Sequence, residues 1–164
     1  MRTTLILLFI GFVFVQTTTA QQLNPQNCID INITNQANVL KENYLKKGMM
    51  VYRESMLHMP SLEPTPIVVR LVKDQLYQFI FVGHDQASRL SFELFDGKDN
   101  LIEERKVKSS SNILYTFKPT KTDDYLVVLY QKKANRKLCG YFGVLVQNSA
   151  PPKSTPRQPV QRKR

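Results

Sequence analysis

The sequence predicts a mainly β protein, a single antiparallel β-sandwich of jelly-roll type with about eight strands and one short N-terminal helix. Three observations carry this reading. From Ile67 to Val146, short apolar runs alternate with turn residues at a nearly constant interval. Those runs are rich in β-branched and aromatic residues, which suit a pleated, half-buried surface. Helical spacing is confined to one stretch near the start.

In chain order, Gln21 to Asn27 reads as a polar leader. Cys28 to Ile33 alternates apolar and polar residues and predicts a short strand. Val39, Leu40, Tyr44 and Leu45 recur at helical intervals, with Lys41, Glu42, Lys46 and Lys47 opposite, so a helix is expected over Ala37 to Lys47. Gly48 stands where a helix-terminating glycine belongs. Met49 to Met59 suits a strand by alternation, although its methionines and Glu54 would also suit a helix. The three prolines between Pro60 and Pro66 exclude regular structure there.

Strands follow at Ile67 to Val72 and at Leu76 to Val82. The second of these is apolar on both faces and suits a central position. After a polar loop, Gly83 to Arg89, the alternation of Leu90, Phe92 and Leu94 with Ser91 and Glu93 marks a half-buried strand. Asp96-Gly97-Lys98-Asp99-Asn100 reads as a hairpin connection in which glycine supplies the positive φ. Leu101 to Val107 is charged as an edge strand should be. Ile113 to Lys118, Tyr125 to Gln131 and Cys139 to Val146 complete the set. Tyr125 to Gln131 is again apolar on both faces.

The ends read differently. Arg2, the apolar stretch Leu5 to Val15 and the small residues Thr18-Thr19-Ala20 form a secretory signal over residues 1–20. That apolar stretch falls short of the roughly 20 residues that span a bilayer. An exported chain, periplasmic or extracellular and not transmembrane, is therefore expected, with the sandwich over residues 21–148. Export places Cys28 and Cys139 where a disulfide persists, and an even count of two allows one pairing. The net charge is +10, yet Lys153, Arg157, Arg162, Lys163 and Arg164 all lie after Ala150 with no acidic residue among them. Residues 149–164 thus read as a disordered, basic, proline-rich tail able to touch an anionic surface.

No local arrangement predicts catalysis, and the chain reads as a non-enzyme. His84-Asp85 with Ser88 is the nearest approach to a hydrolase site, but sequence neighbours on an extended chain point to opposite faces. Asp96, Asp99 and Asn100 offer hard oxygens to calcium, fewer than the six to eight ligands it takes and in positions a hairpin already demands. The histidines are isolated, the glycines sit singly, and no cofactor is expected. The tyrosines could build a sugar-stacking platform, but most fall on core-facing registers. Lys132, Lys133, Arg136 and Lys137 form a basic turn which, with His84, Asp85 and Arg89, marks the expected partner-binding positions. Export argues against nucleic acid as that partner.

The pieces Leu76-Tyr77-Gln78-Phe79, Leu90-Ser91-Phe92-Glu93-Leu94-Phe95-Asp96-Gly97, Thr122-Asp123-Asp124-Tyr125-Leu126-Val127-Val128 and Cys139-Gly140-Tyr141-Phe142-Gly143-Val144 stand in an order that resembles the bacterial pre-peptidase C-terminal domain. The chain also resembles small exported proteins of Bacteroidetes. The first resemblance covers about half of the mature chain and departs from the family pattern at Asp124, where glycine usually precedes the tyrosine. It implies a small jelly-roll sandwich accompanying secreted enzymes. Two readings follow: a non-catalytic module that meets a protein or a cell-surface glycan, or a small hydrolase or accessory subunit with its site near His84 and Asp85.

Overall fold

The described chain begins with a helix where the alternation of Cys28 to Ile33 predicts a strand. A computed structural model describes residues 28–108, 112–132 and 137–147; the secretory signal and the basic tail lie outside them. Helix α1 spans Ile31–Leu45. Asp30 is extended, and its carboxylate accepts the N–H groups of Asn32 at 2.9 Å and Ile33 at 3.1 Å, which caps the first turn. Ile29 is 90% exposed and Ile31 66%, so of the alternating apolar face only Ile33 packs. The stripe that packs is instead Ile33, Ala37, Leu40 and Tyr44, one face of a helix. Gly48 takes φ +82° and donates its N–H to the Leu45 carbonyl, ending the helix region as its position predicts. Replacing Asp30 by alanine should cost about 1 kcal/mol in urea unfolding, and Asp30→Ser only a fraction of that; equal losses for both would remove the capping role.

The strands are β1 (Met49–Pro60), β2 (Thr65–Leu71), β3 (Tyr77–Val82), β4 (Arg89–Phe95), β5 (Leu101–Lys108), β6 (Ile113–Phe117), β7 (Asp123–Lys132) and β8 (Lys137–Gln147). Met49 to Met59 is therefore strand. Two antiparallel four-stranded sheets form, ordered β1-β8-β3-β6 and β2-β7-β4-β5. The β4–β5 hairpin alone stays within its sheet, and every other link between successive strands crosses to the opposite one. This interleaving is the double Greek key of a jelly roll.

Tyr77, Phe79 and Phe81 of β3, Leu90, Phe92 and Leu94 of β4, Val127 and Leu129 of β7 and Phe142 and Val144 of β8 fill the space between the sheets. On the outer side of the first sheet, Ile80, Val82, Tyr141 and Leu145 pack under α1. That second layer explains why β3 is buried along its whole length. Among the described residues, the second sheet has no such cover. On β7, Tyr125, Val127, Leu129 and Gln131 are buried while Leu126, Val128 and Tyr130 are only half-buried, so the run apolar on both faces has one face unroofed.

One local expectation changes in the β4–β5 hairpin. In the hairpin, positive φ belongs to Asp99 (61°) and not to Gly97; short polar side chains tolerate that region. Gly97 serves close approach instead, since a Cβ there would stand 2.6 Å from Asp123 Oδ2. The edge strand β5 does carry its charges in pairs, Glu103 with Arg105 and Glu104 with Lys106.

Candidate functional site

Cys28 and Cys139 form a disulfide with Cα atoms 5.6 Å apart, which staples the start of the helical segment to β8. Nearby, the β3–β4 loop places the His84 ring between two carboxylates, with Nδ1 2.8 Å from Asp85 Oδ1 and Nε2 3.6 Å from Asp30 Oδ2. The Ser88 hydroxyl donates to the Lys132 carbonyl at 3.0 Å and not to His84. His84 and Asp85 thus join a loop to a helix cap. Gln131, wholly buried, completes the joint: its Oε1 accepts the His84 N–H at 2.8 Å and its Nε2 donates to the Cys139 carbonyl at 2.9 Å.

Of the residues considered for calcium, Asp96 has both carboxylate oxygens engaged within its own turn. Asp96 Oδ1 accepts the N–H groups of Lys98 and Asn100, and the Asn100 amide donates to both carboxylate oxygens. The Asn100 amide foremost, with the two backbone donors, holds the Asp96 carboxyl below its ordinary value.

Two hollows lined by described residues bear on function. One, of about 300 Å³, lies between α1 and β1 and is lined by Lys41, Glu54 and Tyr141 among others. Lys41 donates to Glu54 Oε2 at 2.9 Å and the Tyr141 hydroxyl donates to the same oxygen at 2.8 Å. The Lys41 hydrogen bond lowers the Glu54 carboxyl, while burial first and then the Glu54 carboxylate push the Tyr141 phenol upward. These groups satisfy one another.

The other hollow, of about 220 Å³, lies on the unroofed face of the second sheet, lined by Pro64, Arg89, Ser91, Glu93, Lys106, Val128 and Tyr130. Strand register arranges them in rows, because residues directly opposite on neighbouring strands share a face. Tyr130, Ser91 and Lys106 form one row across β7, β4 and β5. Val128, Glu93 and Glu104 form the row on one side, and Lys132, Arg89 and Lys108 the row on the other. Ser91 is only 4% exposed: its short side chain lies at the floor between the longer Tyr130 and Lys106. The trough presents an aromatic ring, a hydroxyl, a carboxylate and several cations within one small area.

Of the positions expected from the sequence, Arg89 and Lys132 are brought side by side, and His84 and Asp85 stand in the adjoining loop. Lys133 and Arg136 lie outside the described residues; Lys137 opens β8 opposite Pro60. Tyr130, Ser91, Glu93, Lys106 and Lys108 were not among those positions. Alternation along β4 could have found Ser91 and Glu93, but only strand pairing sets Tyr130 and the β5 lysines beside them. The outer edge of β2 is less open, since the Tyr52 hydroxyl donates to the Arg70 carbonyl at 2.7 Å and Arg53 to the Val68 carbonyl at 2.6 Å.

No family model matches the chain, and no curated protein matches it in sequence. Its fold is similar to solved β-structures at low identity. A disulfide-linked pilus protein of Bacillus endospore appendages shares 11% identity at a TM-score of 0.41, over 60% of this chain and 85% of that one. A CBM4 protein shares 13% at 0.37, over 61% and 77%. The carbohydrate-binding module CBM36, solved with calcium and xylotriose, shares 6% at 0.33, over 59% and 89%. What those proteins bind or build is a property of theirs alone.

Proposed function

We propose that this protein is a non-catalytic, exported binding module that holds a glycan on the open face of its second sheet, around Tyr130. The observation that carries the reading is the asymmetry of the two outer faces: among the described residues α1 roofs one, while nothing roofs the other, which is hollowed where Tyr130, Ser91, Glu93, Arg89 and Lys106 converge. An aromatic ring offers its face to the C–H surface of a sugar, and flanking hydroxyl, carboxylate and cationic groups meet its hydroxyls. The Cys28–Cys139 disulfide supports export, since such bonds persist in oxidising compartments. A binding module is also in keeping with the resemblance to the pre-peptidase C-terminal domain.

Titrating the full chain against a panel of immobilised polysaccharides tests the reading. The wild type should be retained by at least one of them, and Tyr130→Ala should bind it about tenfold or more weakly with its fold intact by circular dichroism. Retention unchanged by Tyr130→Ala, or no retention on any glycan, would sink it.

A further inference from the structure

We infer that the glycan is acidic, a polysaccharide bearing carboxylate or sulfate groups, and that Lys132, Arg89 and Lys108 form the row that reads its charge. This rests on the reading of the Tyr130 face and adds to it the chemistry of the ligand. Arg89 faces Lys132 on one side and Lys108 on the other in strand register, and all three side chains are exposed. None of the three forms an ion pair among the described residues, whereas Lys106 in the next row is paired with Glu104. Like charges placed directly opposite on neighbouring strands repel and weaken a sheet. The second sheet therefore carries a row that costs it stability when empty and that an anion would relieve.

The neighbouring rows narrow the anion. Strands lie about 4.8 Å apart and residues two apart on a strand about 7 Å. The cation row is thus about 10 Å wide and one row from Tyr130 and Ser91, two from Glu93. Single-stranded DNA or an acidic peptide has no row of hydroxyls to offer the Glu93 and Glu104 carboxylates and would set negative charge against them. An acidic sugar chain can place its charged group over Arg89, a ring face on Tyr130 and hydroxyls beside the Glu93 carboxylate. Charge complementarity at one end and hydroxyl recognition at the other fit that ligand best.

The test compares binding of the full chain to dextran sulfate, polygalacturonate, uncharged dextran, polyglutamate and single-stranded DNA at matched ionic strength. The acidic polysaccharides should bind most tightly, with an affinity that falls as salt rises. Arg89→Glu should weaken them about tenfold or more. Lys46→Glu, the same charge change at the end of the helix over the other sheet, should leave them within about twofold. Arg89→Thr, which keeps a strand-forming residue, should raise the melting temperature of the free protein while weakening binding. Equal binding to dextran and dextran sulfate, with Tyr130→Ala still disruptive, would overturn the acidic ligand and leave the Tyr130 face standing. Equal losses in Arg89→Glu and Lys46→Glu would reduce the effect to bulk charge and overturn it too. Tighter binding to polyglutamate or DNA than to either acidic polysaccharide would assign a different class of partner. No binding to any glycan would end both readings.

Discussion

Removing the Cys28–Cys139 disulfide, by reduction or by the double substitution Cys28→Ser and Cys139→Ser, should lower the unfolding free energy by about 4 to 5 kcal/mol. The bond joins residues 111 apart, so its loop contains α1 and nearly every strand, and cutting it frees an unfolded chain that was closed almost end to end. The native state also loses an anchor, because Cys28 lies just before the Asp30 cap and holds the N-terminal end of α1 against β8. Urea unfolding with and without reductant measures the loss. A drop under about 1 kcal/mol would mean that packing of Ile33, Ala37, Leu40 and Tyr44 alone keeps the helix in place and that the open chain is already compact. Hydrogen exchange separates the two contributions: the amides of α1 should lose protection before those of β3.

Phe79→Ala should cost about 3 to 5 kcal/mol, the range for emptying a large aromatic site in a packed core. Phe79 is 1% exposed and stands near the middle of the space between the sheets. Its ring lies 5.5 Å from that of Phe92, 6.2 Å from Phe142 and 6.3 Å from Tyr115, so one truncation strips contacts from three strands in both sheets. Phe79→Leu retains most of the volume and should lose markedly less. If chemical denaturation gave both variants the same small loss, the sheets would be closing over the gap and the aromatic cluster would not be what spaces them.

Much of the sandwich was legible because strand alternation is a local signal. Leu90, Phe92 and Leu94 face inward as their spacing predicts, the whole of Tyr77–Val82 is buried, and the charged edge is an edge. The first residues misled for an equally local reason. Ile29, Ile31 and Ile33 alternate as a strand would, but the Asp30 carboxylate offers the following N–H groups a helical start, and the disulfide with the Ile33 and Ala37 contacts holds it. Tyr130 was hidden by the same period-two pattern: Val127 and Leu129 face the core, Val128 and Tyr130 the outside, and nothing in the segment says which outer face will be roofed.

The sequence by itself determined the class of fold, the cysteine pairing and the position of most strands, because each rests on composition or short-range periodicity. Tertiary structure alone decided that, among the described residues, α1 covers one sheet and nothing covers the other, and that Arg89 stands between Lys132 and Lys108 beside Tyr130 and Ser91. Those placements depend on strand order and register. They are fixed by pairings between β4, β5 and β7 across intervening chain, and a shift of one residue would turn every side chain of the trough to the other face.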